Sequence, residues 1–278
     1  MPHFTSSDGL GLAYHVQGSG PPVLCLAGLT RNMADFDDVA QQFQDRAQIL
    51  RLDTRGRGGS GFASDPMTYT VPYEARDALE LLDHLGLEQA AILGTSRGGL
   101  IAMVIAATAK ERLSGVMLND IGPVIDPVGL EPILDYLGKR PAYRSYEEAA
   151  QNLPAAMPGF ANVTPAQWLT HAKRVFGPVP QGQERLSLRY DPRLRDAVAA
   201  SSAIPAPDLW PLFDAFGGLP LGVIRGANSD LLSRATLSEM IRRRPDMIVA
   251  EVPDRAHVPF LDEPAAVAAL SAWIEALT

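Results

Sequence analysis

A serine flanked by two glycines is the first feature of this 278-residue chain that could carry out chemistry. Gly94-Thr95-Ser96-Arg97-Gly98 lies between an apolar run and a helical pattern. In a turn from strand to helix, glycines on both sides let the two backbones approach, and the serine hydroxyl is lifted clear of the sheet. The free N–H groups of the new helix also lie where an oxyanion would form. The motif therefore predicts that Ser96 is a nucleophile.

A serine hydroxyl needs a general base, usually a histidine that a carboxylate orients. Four of the five histidines lie in a predicted hairpin, an amphipathic helix or the proline-rich middle of the chain: His3, His15, His84 and His171. His257 instead lies in a loop between the last predicted strand and the last predicted helix. Loops of that kind are where parallel α/β sheets place functional groups. We therefore predict that His257 is the base.

Two aspartates are candidates for orienting His257. Asp230 lies in the loop after the preceding predicted strand, and the chain order Ser96, Asp230, His257 is the one expected for this architecture. Asp120 ends the run Val-Met-Leu-Asn-Asp at 116–120, where it could equally be a turn or hinge residue. We predict Asp230, with Asp120 as the rival.

Apolar runs bounded by turn residues alternate with helical patterns along much of the chain. The predicted strands are 23–27, 48–52, 90–94, 116–118, 222–224 and 247–252, each read as buried on both faces. Apolar residues at helical spacing predict helices at 73–85 and after Pro264. This alternation predicts an α/β fold with a doubly wound, mostly parallel sheet of about eight strands. Residues 2–6 and 12–17 predict an antiparallel hairpin at its N-terminal edge.

Prolines interrupt this alternation in the middle of the chain. Of the 23 prolines, 13 lie within residues 121–211, where they divide the sequence into short helices such as 129–137, 146–153 and 165–176. We predict a helical cap at residues 123–208, inserted into a core domain formed by residues 1–122 and 209–278.

One glycine-rich motif imitates a dinucleotide site. Residues 56–61 match Gly-x-Gly-x-x-Gly after a predicted strand, but the following Phe-Ala-Ser-Asp-Pro does not open a helix. No helix N-terminus would meet a pyrophosphate there, so we interpret the motif as a turn.

Together these motifs resemble the α/β-hydrolase fold superfamily, in its capped branch of esterases, lactonases and C–C hydrolases. Besides the turn at Ser96, Asp230 and His257, the resemblance rests on the loop 27–32 and the turn 53–60, and it covers nearly the whole chain. It implies that the backbone N–H groups of Leu29 and Arg97 form an oxyanion hole. One departure is that the oxyanion loop begins Ala-Gly, whereas His-Gly is common in the family.

The sequence gives weaker signals for the residues that contact the substrate. Arg31 and Arg97 adjoin the expected oxyanion site, and either could pair with a substrate carboxylate. The alternative is that each pairs with a nearby aspartate such as Asp35 or Asp53, outside the pocket. Trp168, in the predicted cap, is a further candidate for substrate contact.

Composition narrows the class of protein. The net charge is −8, 46% of residues are hydrophobic, and the longest basic cluster has three arginines, so we expect no nucleic-acid partner. The single cysteine, Cys25, lies in an apolar strand and cannot form an internal disulfide. The N-terminal residues predict no secretory signal, and no apolar stretch is long enough to span a bilayer. We expect a cytoplasmic monomer or homodimer with a small-molecule substrate.

The predicted function is hydrolysis of a small carboxylic ester or lactone through an acyl-enzyme on Ser96, which requires no metal or cofactor. The alternatives are a hydrolase that cleaves a C–C bond in a β-diketone-like ring-cleavage product and a cofactor-free perhydrolase. From another class, a ligand-binding receptor with slow turnover could keep the same fold and residues.

Overall fold

The structure is a computed structural model that describes residues 1–202 and 207–278. The strands are β1 His3–Thr5, β2 Gly11–Gln17, β3 Pro22–Leu26, β4 Gln48–Leu52, β5 Ala90–Thr95, β6 Leu113–Asn119, β7 Phe176–Gly177, β8 Ser187–Leu188, β9 Leu221–Gly226 and β10 Ile248–Val252. The α-helices are α1 Asp37–Phe43, α2 Val71–His84, α3 Arg97–Thr108, α4 Pro127–Tyr136, α5 Tyr146–Ala156, α6 Pro165–Val175, α7 Leu194–Ser202, α8 Trp210–Asp214, α9 Arg234–Arg243 and α10 Pro264–Glu275.

Eight of these strands form one twisted sheet in the order β1-β2-β4-β3-β5-β6-β9-β10. The pairs β1–β2 and β2–β4 are antiparallel, and all the others are parallel. The predicted α/β fold with an antiparallel N-terminal edge is confirmed. Parallel order brings the carboxyl ends of β5, β6, β9 and β10 to one edge of the sheet, where the loops that follow them can meet.

Helices cover both faces of the sheet, which explains the unbroken apolar runs of its central strands. In β5, Ile92 belongs to a buried cluster that includes residues of α2, α3, α8 and α9 on one face. Its neighbour Leu93 belongs to a second cluster that includes residues of α1 and α10 on the other. All six residues of β5 are therefore buried, and successive side chains enter two separate cores.

The last strand departs from the prediction of burial on both faces. In β10 exposed and half-buried residues alternate, and Val249 is exposed. β10 is the outer strand of the sheet beside β9, so it has one strand neighbour instead of two. An apolar run therefore did not distinguish an edge strand from a central one here.

Between β6 and β9 the chain forms α4, α5, α6, β7, β8, α7 and α8, with α4 to α7 lying in the predicted cap at 123–208. Residues 203–206 of that prediction lie outside the described residues. This segment is attached to the rest of the molecule at separate points. Gly58 N–H donates to Arg189 O and Asp191 N–H donates to Gly56 O, both at 2.7 Å. The rings of Phe160 and Phe260 stack at 5.3 Å.

No helix among residues 1–202 and 207–278 is both long and apolar enough to cross a membrane.

Cys25 offers a test of how tightly the core is packed. The side chain is fully buried in β3, and burial raises the pKa of its thiol to about 12. At pH 8 only about one thiol in 10⁴ would be ionised, and the reactive thiolate would have no access to solvent. We expect Ellman's reagent to leave the native protein unlabelled and to label one thiol per chain after denaturation in guanidinium chloride. Rapid labelling of the native protein would contradict the packing of β3 described above.

Candidate active site

Ser96 occupies the turn between β5 and α3. Its backbone has φ 50° and ψ −115°, a left-handed conformation that non-glycine residues rarely adopt. The glycines beside it are required by close contact. A Cβ added to Gly98 would lie 2.1 Å from the carbonyl oxygen of Leu26, and one added to Gly94 would lie 2.6 Å from the backbone of Gly98. The motif thus allows strand and helix to meet with the hydroxyl at the edge of the sheet.

His257 reaches Ser96 from the loop between β10 and α10, with Nε2 lying 2.9 Å from Ser96 Oγ. This loop is held by Glu263, which accepts hydrogen bonds from Arg255 Nε at 2.6 Å and from Phe260 N–H at 2.9 Å. Glu263 also accepts a hydrogen bond from the N–H of Leu261 at 2.9 Å. The predicted pairing of residues 96 and 257 is therefore present, supported by an arginine–glutamate pair that the sequence analysis did not identify.

The carboxylate that orients His257 belongs to Asp120. It is fully buried and accepts hydrogen bonds from His257 Nδ1 at 2.7 Å, from the Ser229 hydroxyl at 2.6 Å and from Gly226 N–H at 2.9 Å. Asp230 is exposed. The prediction that Asp230 orients His257 is therefore wrong, and the rival Asp120 takes that place.

The turn after β9 explains this correction. β9 ends at Gly226, and the N–H of Ser229 donates back to the Gly226 carbonyl oxygen at 2.9 Å, so the chain reverses at once. This turn directs the Ser229 hydroxyl toward Asp120 and leaves Asp230 in solvent. Asp120 instead follows β6 directly, and β6 lies between β5 and β9 in the sheet. The sequence did contain one signal that favoured Asp120, namely that it follows a buried strand immediately.

The backbone N–H groups of Leu29 and Arg97 lie on the two segments beside Ser96. Arg97 is the first residue of α3, so its N–H has no partner within the helix. Leu29 lies in a turn closed by the hydrogen bond from Arg31 N–H to Gly28 O at 3.1 Å, and that bond does not use the Leu29 N–H. A Cβ added to Gly28 would lie 3.7 Å from Ser96 Cβ. The turn therefore passes directly beside the serine.

The two arginines beside this turn have different partners. Arg31 forms a bidentate pair with Asp35, at 2.8 Å from Nε and 2.6 Å from Nη2. Arg97 pairs with Glu74 at 2.6 Å, and not with Asp35 or Asp53 as considered from the sequence. Among the described residues, Nη1 of Arg31 has no hydrogen-bond partner. Arg31 can therefore still bind a ligand, whereas the Arg97 side chain is engaged in the interior.

Trp168 lies in the interior of the inserted segment, not at the candidate site. Its side chain is 5% exposed and packs edge-on against Phe160, His171 and Phe260. Helix α6 is amphipathic, and Trp168 is on the face that packs against α5. The prediction of Trp168 as a substrate contact is corrected accordingly.

A cavity of about 30 Å³ lies beside the serine turn, between the sheet edge and α6. Thr95 and Asn119 line it from the sheet, while Arg31, His171 and Arg174 line it from the other sides. Burial and the charges of Arg31 and Arg174 hold the pKa of His171 well below its usual value, so this imidazole is neutral at pH 7. The cavity therefore has no positive histidine, and its two guanidinium groups are each paired with a carboxylate, Arg31 with Asp35 and Arg174 with Asp38.

In chemical terms, the arrangement places a hydroxyl, an imidazole and a carboxylate in one hydrogen-bonded line. Because a carboxylate only accepts, Nδ1 of His257 carries the proton and Nε2 is free to receive one from Ser96. Among residues 1–202 and 207–278 no group of three or more His, Cys, Asp or Glu side chains could hold a metal ion.

A model of the alpha/beta hydrolase fold matches residues 21–264. The chain belongs to this family. It is 37% identical over 270 residues to a 3-hydroxybutyrate-oligomer hydrolase from Cupriavidus necator, covering 92% of this chain and 90% of that protein. It is 27% identical over 243 residues to a 2-(acetamidomethylene)succinate hydrolase from Mesorhizobium japonicum, covering 87% of this chain and 83% of that protein.

Solved structures agree with the fold. An alpha/beta hydrolase from Novosphingobium aromaticivorans is 38% identical and superposes with a TM-score of 0.92, covering 99% of this chain and 97% of that one. The relatives named as enzymes above are hydrolases, which supports hydrolase activity for this chain.

The assignment of Asp120 gives the first functional test. In Asp120→Asn a neutral amide replaces the carboxylate, so the histidine tautomer is no longer fixed and the imidazolium is no longer stabilised. We expect kcat for a p-nitrophenyl ester to fall by about 10⁴-fold. Asp230→Asn should stay within about twofold of the parent, because an exposed side chain away from the site contributes little. Equal losses in the two variants, with both still folded by circular dichroism, would contradict the geometry described here.

Proposed function

We propose that this protein is a serine hydrolase of carboxylic esters that forms an acyl-enzyme on Ser96. The observation that carries the proposal is the pair of short hydrogen bonds from Ser96 through His257 to the buried carboxylate of Asp120. Ser–His–Asp lines of this kind activate a hydroxyl that is otherwise a poor nucleophile.

The reaction has two halves. His257 Nε2 takes the Ser96 proton as Oγ attacks the ester carbonyl, and the resulting oxyanion accepts hydrogen bonds from the N–H groups of Leu29 and Arg97. Collapse expels the alcohol, which receives the proton from His257, and leaves the acyl group on Ser96. A water then repeats these steps: it loses a proton to His257, attacks the acyl carbonyl and releases the acid, and Oγ recovers its proton. Asp120 remains ionised throughout and stabilises the imidazolium.

Oligomers of a short hydroxyacid are the substrates that the comparisons favour. The Cupriavidus necator relative is named for hydrolysis of 3-hydroxybutyrate oligomers and matches nearly the whole length of both chains. Such oligomers are linear esters with one free carboxylate, so each cleavage releases an acid and a shorter alcohol. A hydroxyacid ester is thus one member of the small-ester class predicted from the sequence.

We infer that residues 123–208 act as a cap over this chemistry. Helix α6 lies against the loop that carries His257, with Trp168 and His171 packed on Phe260. Asn32, close to the oxyanion turn, donates through Nδ2 to the carbonyl oxygen of Arg174 at 2.8 Å. These contacts favour an inserted segment that limits the size of the substrate and shields the site from bulk solvent, while still admitting the water that hydrolyses the acyl-enzyme.

The ester-hydrolase proposal is tested with Ser96→Ala. We expect the parent enzyme to hydrolyse p-nitrophenyl butyrate and the linear dimer of 3-hydroxybutyrate, and the variant to lose at least about 10³-fold in kcat, since the nucleophile is absent. Release of acid is followed by titration and of p-nitrophenolate by absorbance. Two outcomes would overturn the proposal. Cleavage of a β-diketone but of no ester would favour C–C hydrolysis, and tight binding without Ser96-dependent turnover would favour a receptor.

Recognition of the free carboxylate is assigned to Arg31. Its Nη1 has no hydrogen-bond partner among the described residues, and its side chain lines the cavity together with Thr95, the residue before Ser96. Arg174 lines the same cavity but is already paired with Asp38 at 2.9 Å. Asp35 holds the other edge of the guanidinium and fixes its orientation. A bidentate or single charge-assisted hydrogen bond from this group would select substrates that end in a carboxylate.

This assignment is tested by comparing the hydroxybutyrate dimer with its methyl ester, which differ only in that carboxylate. For Arg31→Met we expect kcat/KM on the free acid to fall about 10- to 100-fold, the equivalent of one hydrogen bond to a charged group. The methyl ester should change by no more than about threefold, because it has no charge to lose. If both substrates lose equally, Arg31 supports the loop and does not bind the substrate.

A further inference from the structure

A buried carboxylate joins the two segments that carry the oxyanion donors. Glu74, in the first turn of α2, is fully buried, and its oxygens accept from Arg57 Nη1 at 2.7 Å and from Arg97 Nε at 2.6 Å. Arg57 Nε in turn donates to the carbonyl oxygen of Leu29 at 2.9 Å. Arg97 Nη2 donates to Tyr69 O at 2.9 Å. A single side chain therefore connects residue 29, through Arg57, with residue 97.

These contacts fix the peptide planes on both sides of Leu29. The plane that contains its N–H is held by the hydrogen bond from Arg31 N–H to Gly28 O at 3.1 Å. The plane that contains its carbonyl group is held by Arg57. The residue before Gly28 is Ala27, so no histidine side chain is present at that position to brace the loop. The support comes instead from residue 57, in the glycine-rich turn that resembles a dinucleotide motif.

The charges explain why the carboxylate is needed. Burial opposes ionisation of Glu74, but the charges of Arg57 and Arg97 outweigh it and keep the pKa of Glu74 below its usual value. Without that negative charge, two guanidinium groups would face each other inside the protein. The positive charge of Arg97 already acts, together with burial, to lower the pKa of Arg57. Loss of Glu74 would therefore drive apart the two side chains that anchor the loop and the helix.

We propose that Glu74 is a positioning residue for the oxyanion hole, which acts through Arg57 and Arg97 to hold the N–H groups of Leu29 and Arg97 in the relative orientation that the tetrahedral oxyanion requires. The inference rests on the proposed ester hydrolysis, in which the tetrahedral intermediate carries the oxyanion. Glu74 does not touch the substrate, so its contribution concerns the geometry of the transition state and not substrate binding.

Helix α2 provides a matched control for this inference. Asp77 lies three residues after Glu74, is also fully buried, and pairs with the buried Arg55 at 2.6 Å. Among the described residues, the Arg55 side chain bonds neither Leu29 nor Arg97, and its other hydrogen-bond partner is Asp8. Its backbone carbonyl oxygen accepts from Arg57 Nη1 at 2.6 Å, a contact that a change at Asp77 leaves in place. Glu74→Gln and Asp77→Asn therefore remove the same kind of charge from the same helix, and only the first removes the link between the donors.

The experiment measures kcat and KM for p-nitrophenyl butyrate and the inhibition constant of an alkyl trifluoromethyl ketone, whose adduct with Ser96 carries an oxyanion. For Glu74→Gln we expect kcat to fall about 10- to 100-fold, as for misplacement of an oxyanion donor. The ketone's inhibition constant should rise by the same factor, while KM stays within about twofold. Asp77→Asn should leave kcat and the inhibition constant within about threefold of the parent. We expect this even if its melting temperature falls by as much as that of Glu74→Gln.

A second pair of variants decides the matter if Glu74→Gln does not fold. Arg57→Lys keeps a positive charge opposite Glu74 but loses the Nε hydrogen bond to Leu29 O, and Arg55→Lys is its control. We expect the first to show the loss in kcat and in ketone affinity, and the second to show neither.

Several results would overturn the inference. Equal losses in Glu74→Gln and Asp77→Asn would make Glu74 a structural residue only. A higher kcat in Glu74→Gln would mean that the extra positive charge stabilises the oxyanion more than the link does. Ser96→Ala is measured in the same assay: if it retains esterase activity, the proposed function is wrong. If its activity is lost and Glu74→Gln behaves like Asp77→Asn, only the positioning role is wrong.

Discussion

The turn at Ser96 sets where β5, α3 and the loops of the neighbouring strands meet. One residue must convert a buried parallel strand into a helix, and it does so with a positive φ that is unfavourable for serine. The conformation is held because Gly94 and Gly98 bring the helix against β3 and β5 more closely than any side chain would permit. Once this turn is in place, the nucleophile, the first N–H of α3 and the carboxyl ends of the neighbouring strands share one edge of the sheet.

Buried ion pairs hold the loops at that edge. Arg57–Glu74 and Arg55–Asp77 are both fully buried, and Arg255–Glu263 is nearly so. Removing charges from water is costly, so pairs of this kind contribute little net stability compared with apolar packing. Their value here is geometric, because each guanidinium also donates to other groups, such as a loop carbonyl oxygen, and thereby restricts a segment that has no regular secondary structure.

The inserted segment and the sheet edge form one continuous environment around Ser96. Phe260 follows the histidine loop and packs into the aromatic cluster of the inserted segment, while Arg189 and Asp191 bond to the turn that contains Arg57. The inserted segment therefore contacts both the loop that carries His257 and the turn whose Arg57 bonds to Leu29.

Local sequence patterns were enough to predict the fold class, the serine turn and the position of the histidine. Each of these follows from local information: strand and helix periodicity, a five-residue motif with its required glycines, and the one histidine that follows the last strand. It also indicated the backbone donors at residues 29 and 97 through the family resemblance. Edge and centre were not distinguished for β10, because an apolar run predicts a strand but does not show how many strands or helices lie beside it.

The packing of the folded chain shows which aspartate bonds to His257 and which side chains support the turn at Leu29. Both depend on contacts between residues distant in the chain. Asp120 and His257 are 137 positions apart, and Leu29 and Arg57 are 28 positions apart. The exchange of Asp230 for Asp120 follows from the order of strands in the sheet and from a tight reversal after β9, neither of which chain order reveals. Local patterns specify which elements form, whereas the direction of a side chain at the end of a strand is set by the loops that pack around it.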